Sequence, residues 1–120
     1  MDNGSSVQSA GWDQFSNYKL KTVDVDLSPE FVGIARLREL TGIERDEVED
    51  KFAQSKDKKS ITGLLAFIVS KCWIDESGKH VQPNPALVNQ LPARLISKLV
   101  GPAQKLSGLT AEDVEQLAKN

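Results

Sequence analysis

Apolar and polar residues alternate early in the chain and take a helical spacing further on. Within residues 23–27, Val23, Val25 and Leu27 fall on one side, and Asp24 and Asp26 fall on the other. This two-residue period is typical of a strand with one buried face. From residue 41 onward, apolar residues recur three or four positions apart, in stretches introduced by helix-start signals. The pattern predicts an N-terminal strand followed by a mainly helical body of about four to five helices.

Residues 28–40 fit two different structures. Ser28-Pro29-Glu30 is a good helix start. A helix would have one apolar face, formed by Phe31, Ile34, Leu37 and Leu40. A strand would separate Val32, Ile34, Arg36 and Arg38 from Phe31, Ala35 and Leu37. The residues by themselves favour the helix, with Gly42 as its end.

Two helices are expected in the middle of the chain. A capping box formed by Thr41 and Glu44 starts the first, because each side chain can accept from the other residue's backbone N–H. This helix runs to Gln54, and its apolar stripe is Ile43, Val48 and Phe52. Ser60 starts the second helix, which extends to about residue 71. Its face is broadly apolar, so we predict that it is the central buried helix.

A small hairpin and a short helix are predicted next. Residues 75–78, Asp-Glu-Ser-Gly, favour a tight turn across which Trp73 or Ile74 pairs with Val81. Asn84 is a good cap for a helix with Pro85 at its first position. The apolar side of that helix is Leu87, Val88 and Leu91.

Residues 91–120 predict two capped helices. The first starts at Pro92, and its apolar stripe is Leu95, Ile96, Leu99, Val100, Ala103 and Leu106. Because Pro102 has no N–H to donate to the Lys98 carbonyl, we expect a kink or break at Gly101-Pro102. Gly108 ends this helix, and Thr110 starts the last one, with Asp113 in the capping-box position. The inward side of the last helix is Val114 and Leu117.

Composition narrows the class of protein. The chain has 120 residues and a net charge of −2, which fits one domain without a broad basic surface for nucleic acid. We expect residues 1–16 to be a flexible tail, interrupted by Trp12 and Phe15, and residues 17–120 to be a single domain. The absence of a long apolar run, of a signal-like start and of a second cysteine predicts a cytosolic protein without a membrane contact.

The sequence offers little chemistry. Cys72 and His80 are the only cysteine and the only histidine, so no metal-ligand cluster of these types can form. Cys72 falls at the end of an apolar helix, where a buried structural thiol is the ordinary interpretation. His80 beside a turn is expected to be an exposed strand residue. The glycines are scattered and form no phosphate-binding loop. We expect neither catalytic residues nor a cofactor, and therefore not an enzyme.

Several stretches, taken in order, resemble the tail assembly chaperones of long-tailed bacteriophages. The segment ARLRELTGIERD resembles the family's strand, capping box and acidic helix, and DESGK resembles its turn after the apolar helix. The other similar segments are LSPEF, LPARL and LSGLTAEDVE, followed by the closing Lys119-Asn120. The likeness begins near Val23 and covers roughly four-fifths of the chain. The N-terminal 20 residues lie outside it, and Gly101-Pro102 departs from it.

The resemblance implies an α+β fold, with a small N-terminal antiparallel sheet or hairpin followed by a mainly helical body of about four to five helices. In this fold residues 28–40 contain a strand. It also implies a non-enzymatic protein that coats the tape-measure protein, keeps it soluble and helps to recruit tail-tube subunits. Such a chaperone acts in the cytoplasm of the host bacterium and is absent from the finished particle. A longer form made by ribosomal frameshifting near the Lys-Asn end is a further expectation from the family.

Two surfaces are candidates for partner binding and for self-association into a homo-oligomer. One is the helical stripe Leu95, Ile96, Leu99 and Val100, which forms either a client groove or part of the protein's own core. The other is Phe31, Val32 and Ile34, beside a sheet edge. Two other classes of protein fit the same size and charge. They are a virion structural part, such as a small head–tail connector or tail-completion protein, and a small helical DNA-binding regulator that uses residues 41–71.

Overall fold

The computed structural model describes residues 9–54 and 61–108. Eight elements follow one another along the chain: α1 (Trp12–Ser16), β1 (Thr22–Asp26), β2 (Ile34–Arg38), α2 (Gly42–Gln54), α3 (Ile61–Cys72), β3 (Trp73–Ile74), α4 (Pro85–Val88) and α5 (Ala93–Leu106). The predicted α+β fold, a small antiparallel sheet with a helical body, is confirmed. The Ser60 cap and the helix predicted from Thr110 lie outside the described residues, as do the side chains of Phe52 and Ile61.

The sheet has three antiparallel strands in the order β1-β2-β3. Val23 lies opposite Leu37 and Val25 opposite Ala35, so these four side chains share the face that packs on the core. Asp24 and Asp26 are exposed on the other face, as the alternation in the sequence predicts. An antiparallel sheet with one covered face and one open face produces this period.

The helix favoured by the residues of segment 28–40 is wrong, and the strand is right. Residues 28–33 make a turn, closed by the bond from Leu27 N–H to the Gly33 carbonyl at 3.0 Å. Gly33 has φ +109°, a backbone conformation that other residues rarely adopt. β2 then pairs with a strand on each side while Ala35 and Leu37 are buried. Pairing on both edges outweighs the local helix signal, because local propensity is only a weak preference.

α3 is the centre of the helical body, as predicted. Its fully buried residues are Leu64, Ala66, Ile68, Val69, Ser70 and Cys72. α2, α4 and α5 all pack against this helix, and α5 also covers the inner face of β1 and β2. The hydrophobic core therefore lies between α3, α5 and the sheet.

A kink or break was expected in α5 at Gly101-Pro102, and the break is wrong. The helix runs from Ala93 to Leu106 with Pro102 inside it. Val100 and Ala103, which flank the pair, are both buried in the same core. Burial on both sides of the proline holds the helix together, although one backbone hydrogen bond is lost.

Two apolar residues expected on buried helix sides face solvent instead. Ile43 is 76% exposed and Leu87 is 45% exposed, whereas Val48 and Val88 fill the corresponding core positions. The two predicted helix caps are confirmed. Thr41 and Glu44 bond reciprocally, at 2.9 and 3.2 Å, and Asn84 Oδ1 accepts from Ala86 N–H at 3.0 Å.

A half-enclosed ion pair joins the sheet to two helices. The Arg38 guanidinium donates to both carboxylate oxygens of Glu44, at 2.9 and 2.8 Å. Each of the two side chains is only 14% exposed. Arg38 also donates to the Lys71 carbonyl at 3.3 Å, near the end of α3. Arg38 thus connects β2, the first turn of α2 and the last turn of α3.

The end of α5 is hydrogen-bonded to the segment that follows β2, next to Arg38. Leu40 N–H, just after β2, donates to Ser107 Oγ at 2.9 Å. Ser107 follows the last residue of α5. β2, α2, α3 and α5 therefore meet around Arg38 and Leu40.

The substitution Glu44→Gln tests the contribution of this ion pair to stability. Glutamine can keep the capping box, but it leaves the enclosed Arg38 without its counter-charge. We expect the free energy of unfolding to fall by about 2 to 3 kcal/mol, measured by urea denaturation. Asp24→Asn is the matched control, since Asp24 of β1 pairs with Arg36 of β2 at an exposed site. A loss for Glu44→Gln no larger than that of the control would contradict the assignment.

Acid should weaken the same contact. Burial raises the pKa of Glu44, but hydrogen bonds from Arg38 and Thr41 lower it more, and the net pKa lies below the ordinary 4.5. A group with a lowered native pKa contributes stability that is complete above its unfolded pKa and is lost as the pH falls through its native pKa. We therefore expect the decline in unfolding free energy below pH 4.5 to be shallower in Glu44→Gln. Identical slopes in both proteins, measured by urea titration at each pH, would rule this out.

Candidate functional site

The structure separates the two predicted binding surfaces. Leu95, Ile96, Leu99 and Val100 are all buried in the protein's own core, with Leu99 completely enclosed. They pack where α5 meets α3 and the sheet. Of the two arrangements considered for this stripe, the structure has the packed one, because the exposed side of α5 is polar and its apolar side is already covered. These four side chains present no open groove to a partner.

The second predicted set lies at the surface, on the turn before β2 and at its first residue. Val32 is fully exposed and Ile34 is 68% exposed. Phe31 is partly buried against the core, and the Arg94 guanidinium lies over its ring at 5.4 Å from the centroid. Arg94 is also paired with Glu30 at 3.2 Å. Phe31 therefore holds the turn against the core, whereas Val32 and Ile34 remain accessible to a binding partner.

The open face of the sheet forms a groove beside Ile34. The strand register aligns Asp24, Arg36 and Ile74 across the three strands, with His80 next to Ile74. The groove has a volume of about 760 Å³ and runs between this row and the hairpin turn. Its apolar lining residues are Ile34, Trp73, Ile74 and Val81. Ile34 and Val81 are exposed, whereas Ile74 is buried and Trp73, opposite Leu37, is partly buried against the core. Single exposed apolar residues are normal, but two that line one concavity mark a candidate contact site.

The polar lining of the groove is mainly acidic. Arg36 Nε donates to Asp24 Oδ1 at 2.9 Å, and this bond lowers the pKa of Asp24. Asp75 Oδ1 accepts from the Ser77 hydroxyl, the Ser77 N–H and the Lys79 N–H, which lowers the pKa of Asp75. Glu76 is exposed at the same rim. With three carboxylates and one guanidinium, the lining is suited to an apolar partner that carries basic residues.

Sequence reasoning identified Ile34 but missed the groove. The predicted hairpin correctly placed Val81 opposite Trp73, and the bond from Val81 N–H to the Trp73 carbonyl is 3.0 Å long. What the sequence did not indicate is that β3 lies against β2, which brings Trp73 and Val81 beside Ile34. The alternation of residues 32–38 predicts strand β2. It would have indicated the groove if it had been given more weight than the Ser-Pro-Glu helix start.

Cys72 is unsuited to nucleophilic chemistry. Its side chain is completely buried, and burial raises the pKa of the Cys72 thiol to about 12. The thiolate is the reactive form of cysteine, so a thiol with this pKa is inert at neutral pH. This agrees with the interpretation of Cys72 as a structural residue.

His80 was expected to be exposed, but it is half-buried. The hairpin turn places it opposite Ile74, and its Nδ1 is enclosed without a hydrogen bond to the described residues. In residues 9–54 and 61–108, no group of three or more His, Cys, Asp and Glu side chains is placed to hold a metal ion.

Trp12 and Phe15 lie on α1, which has no buried residue, and both aromatic rings remain exposed. α3 is the second helix of residues 41–71, the segment considered for a DNA-binding regulator, and it is packed inside the protein. A recognition helix must present its side chains to the major groove, and the buried face of α3 is unavailable for that. Among the described helices, none is long and apolar enough to cross a membrane.

No protein-family model, no curated protein and no solved structure matches this chain.

The inertness of Cys72 is directly testable with a thiol reagent. We expect the native protein at pH 8 to react with a maleimide only through transient opening, at least about a hundredfold more slowly than in 6 M guanidinium. The rate can be followed by mass spectrometry of the intact chain. Rapid stoichiometric labelling of the native protein would contradict the burial and the raised pKa of Cys72.

Proposed function

We propose that the protein is a non-enzymatic tail assembly chaperone of a long-tailed bacteriophage or prophage. In this role it binds the tape-measure protein, keeps that protein soluble and helps to recruit tail-tube subunits. It acts as a homo-oligomer in the cytoplasm of the host bacterium during assembly and is absent from the finished virion. The ordered likeness of residues 23–120 to this family supports the identity of the client, and the surface supports the kind of contact.

The open sheet-face groove with Val32 and Ile34 is the observation that carries the proposal. Both side chains are exposed, Ile34 in the lining of the groove and Val32 on the turn before it. The other large apolar set, on α5, is buried in the protein's own core. A helical client binds such a surface by inserting apolar side chains spaced along one face. The acidic rim adds a preference for clients with lysine or arginine beside those side chains.

Weak contacts are sufficient for this role. When several copies of the chaperone bind along one long client, each further contact is intramolecular and the total affinity rises steeply. A single groove with two strongly exposed apolar side chains therefore needs only modest affinity. The same argument explains why a small protein without reactive groups can protect a client many times its length.

The test is co-expression with the tape-measure protein encoded in the same genome. We expect the double substitution Val32→Glu and Ile34→Glu to reduce the soluble fraction of the tape-measure protein by at least about fivefold, because charge in the groove opposes apolar insertion. The soluble fraction is measured by quantitative immunoblotting after centrifugation.

Ile43→Glu is the matched control for this experiment. Ile43 is as exposed as Ile34 but lies on α2, away from the residues that line the groove. Unchanged solubilisation by Ile43→Glu, together with unchanged circular dichroism of both variants, assigns the loss to the groove. If the double variant keeps the client soluble, the proposed contact surface is wrong.

A further inference from the structure

The turn that carries Val32 is held from α5. This β1–β2 turn, residues 27–33, begins at Leu27, whose carbonyl accepts from Lys98 Nζ at 3.3 Å. The same ammonium makes a longer contact, 3.5 Å, with the Ser28 carbonyl. Lys98 thus contacts two successive carbonyls at the start of the turn, across 71 and 70 positions of the chain.

Lys98 is well placed to act as a fixed support. Its neighbours Leu95 and Leu99 are buried in the core, which fixes the position of this part of α5. Lys98 itself is half-buried, so water competes less for its ammonium group than it does at a fully exposed site. Hydrogen bonds from Ser28 and, to a smaller extent, the charge of Lys98 lower the pKa of Asp26, the last residue of β1.

The second contact between α5 and the turn is weaker. Arg94, one helical turn before Lys98, pairs with Glu30 at 3.2 Å and lies over the ring of Phe31. The side chains of Arg94 and Glu30 are 67% and 49% exposed, and ion pairs at such exposure contribute little to stability. Lys98 is therefore the main polar support that α5 gives to the turn.

Val32 depends on this support because its own side chain packs against nothing. It is fully exposed, and the next residue, Gly33, has φ +109°. An exposed side chain on such a turn keeps one position only if the backbone of the turn is held from elsewhere. A partner that binds one form of the turn loses affinity in proportion to the time that the turn spends in other forms.

We propose that Lys98 is a positioning residue for client binding. It keeps the β1–β2 turn in the form that presents Val32 beside Ile34, and it acts through the backbone of the turn and not by contact with the client. This role rests on the proposed function, because it requires a client at this surface. It assigns part of the binding affinity to a residue on α5, outside the groove and the turn.

Lys98→Met tests this role, because it removes the ammonium group and keeps an unbranched side chain. We expect the dissociation constant for a soluble helical fragment of the tape-measure protein, measured by calorimetry, to rise about fivefold to tenfold. In the chain without the fragment, we expect the NMR order parameters of Val32 and Gly33 to fall below about 0.6. The matched control is Lys105→Met, which removes the same group from the last turn of α5. It should leave both quantities unchanged.

A second background separates positioning from a general loss of structure. In a Val32→Ala chain, Lys98→Met should raise the dissociation constant by less than about a further twofold, because the side chain that Lys98 positions is gone. An equal loss in both backgrounds would overturn the positioning role. Unchanged order parameters, or wild-type affinity in Lys98→Met, would overturn it as well. If the wild-type chain does not bind the fragment, the proposed function itself fails. Equal binding by the wild type and Lys98→Met refutes the positioning role alone.

Discussion

The ion pair between Arg38 and Glu44 is the contact on which the arrangement of the other elements depends. Among the described side chains of α2, Val48 is the one that is fully buried. The bidentate pair and the capping box fix the first turn of α2 against β2 through hydrogen bonds. Because both charged groups are largely enclosed, each is costly without the other, and the pair specifies one position for the helix.

That position explains why one face of the sheet stays open. α5 covers the inner face, and Arg38 holds α2 at the end of β2 farthest from Ile34. The outer face between Asp24 and the hairpin turn is left without a covering helix among the described elements. The binding surface proposed for the client thus follows from the positions of α2 and α5 on the sheet. Binding at this surface requires no reactive residue.

Sequence analysis succeeded where a structural feature depends on neighbouring residues. The Thr41 and Asn84 caps, the alternation in β1 and the stripe of α5 each depend on a few adjacent positions, and all appear as predicted. The sequence-based predictions failed where contacts between residues far apart in the chain determine the structure. The residues of β2 predicted a helix because a local pattern contains no information about its two partner strands. The family resemblance, in contrast, favoured the strand. The bond from Arg38 to the Lys71 carbonyl spans 33 positions, and no periodicity could have indicated it.

The most direct test of the account is where a client touches the protein. Amide and methyl NMR spectra of the labelled chain, titrated with a soluble helical fragment of the tape-measure protein, would map that contact. The account predicts shifts at Val32, Ile34, Trp73 and Val81, while Leu95 and Leu99 remain unchanged. Shifts confined to α5 and its core neighbours, or no shifts at saturating fragment, would contradict it.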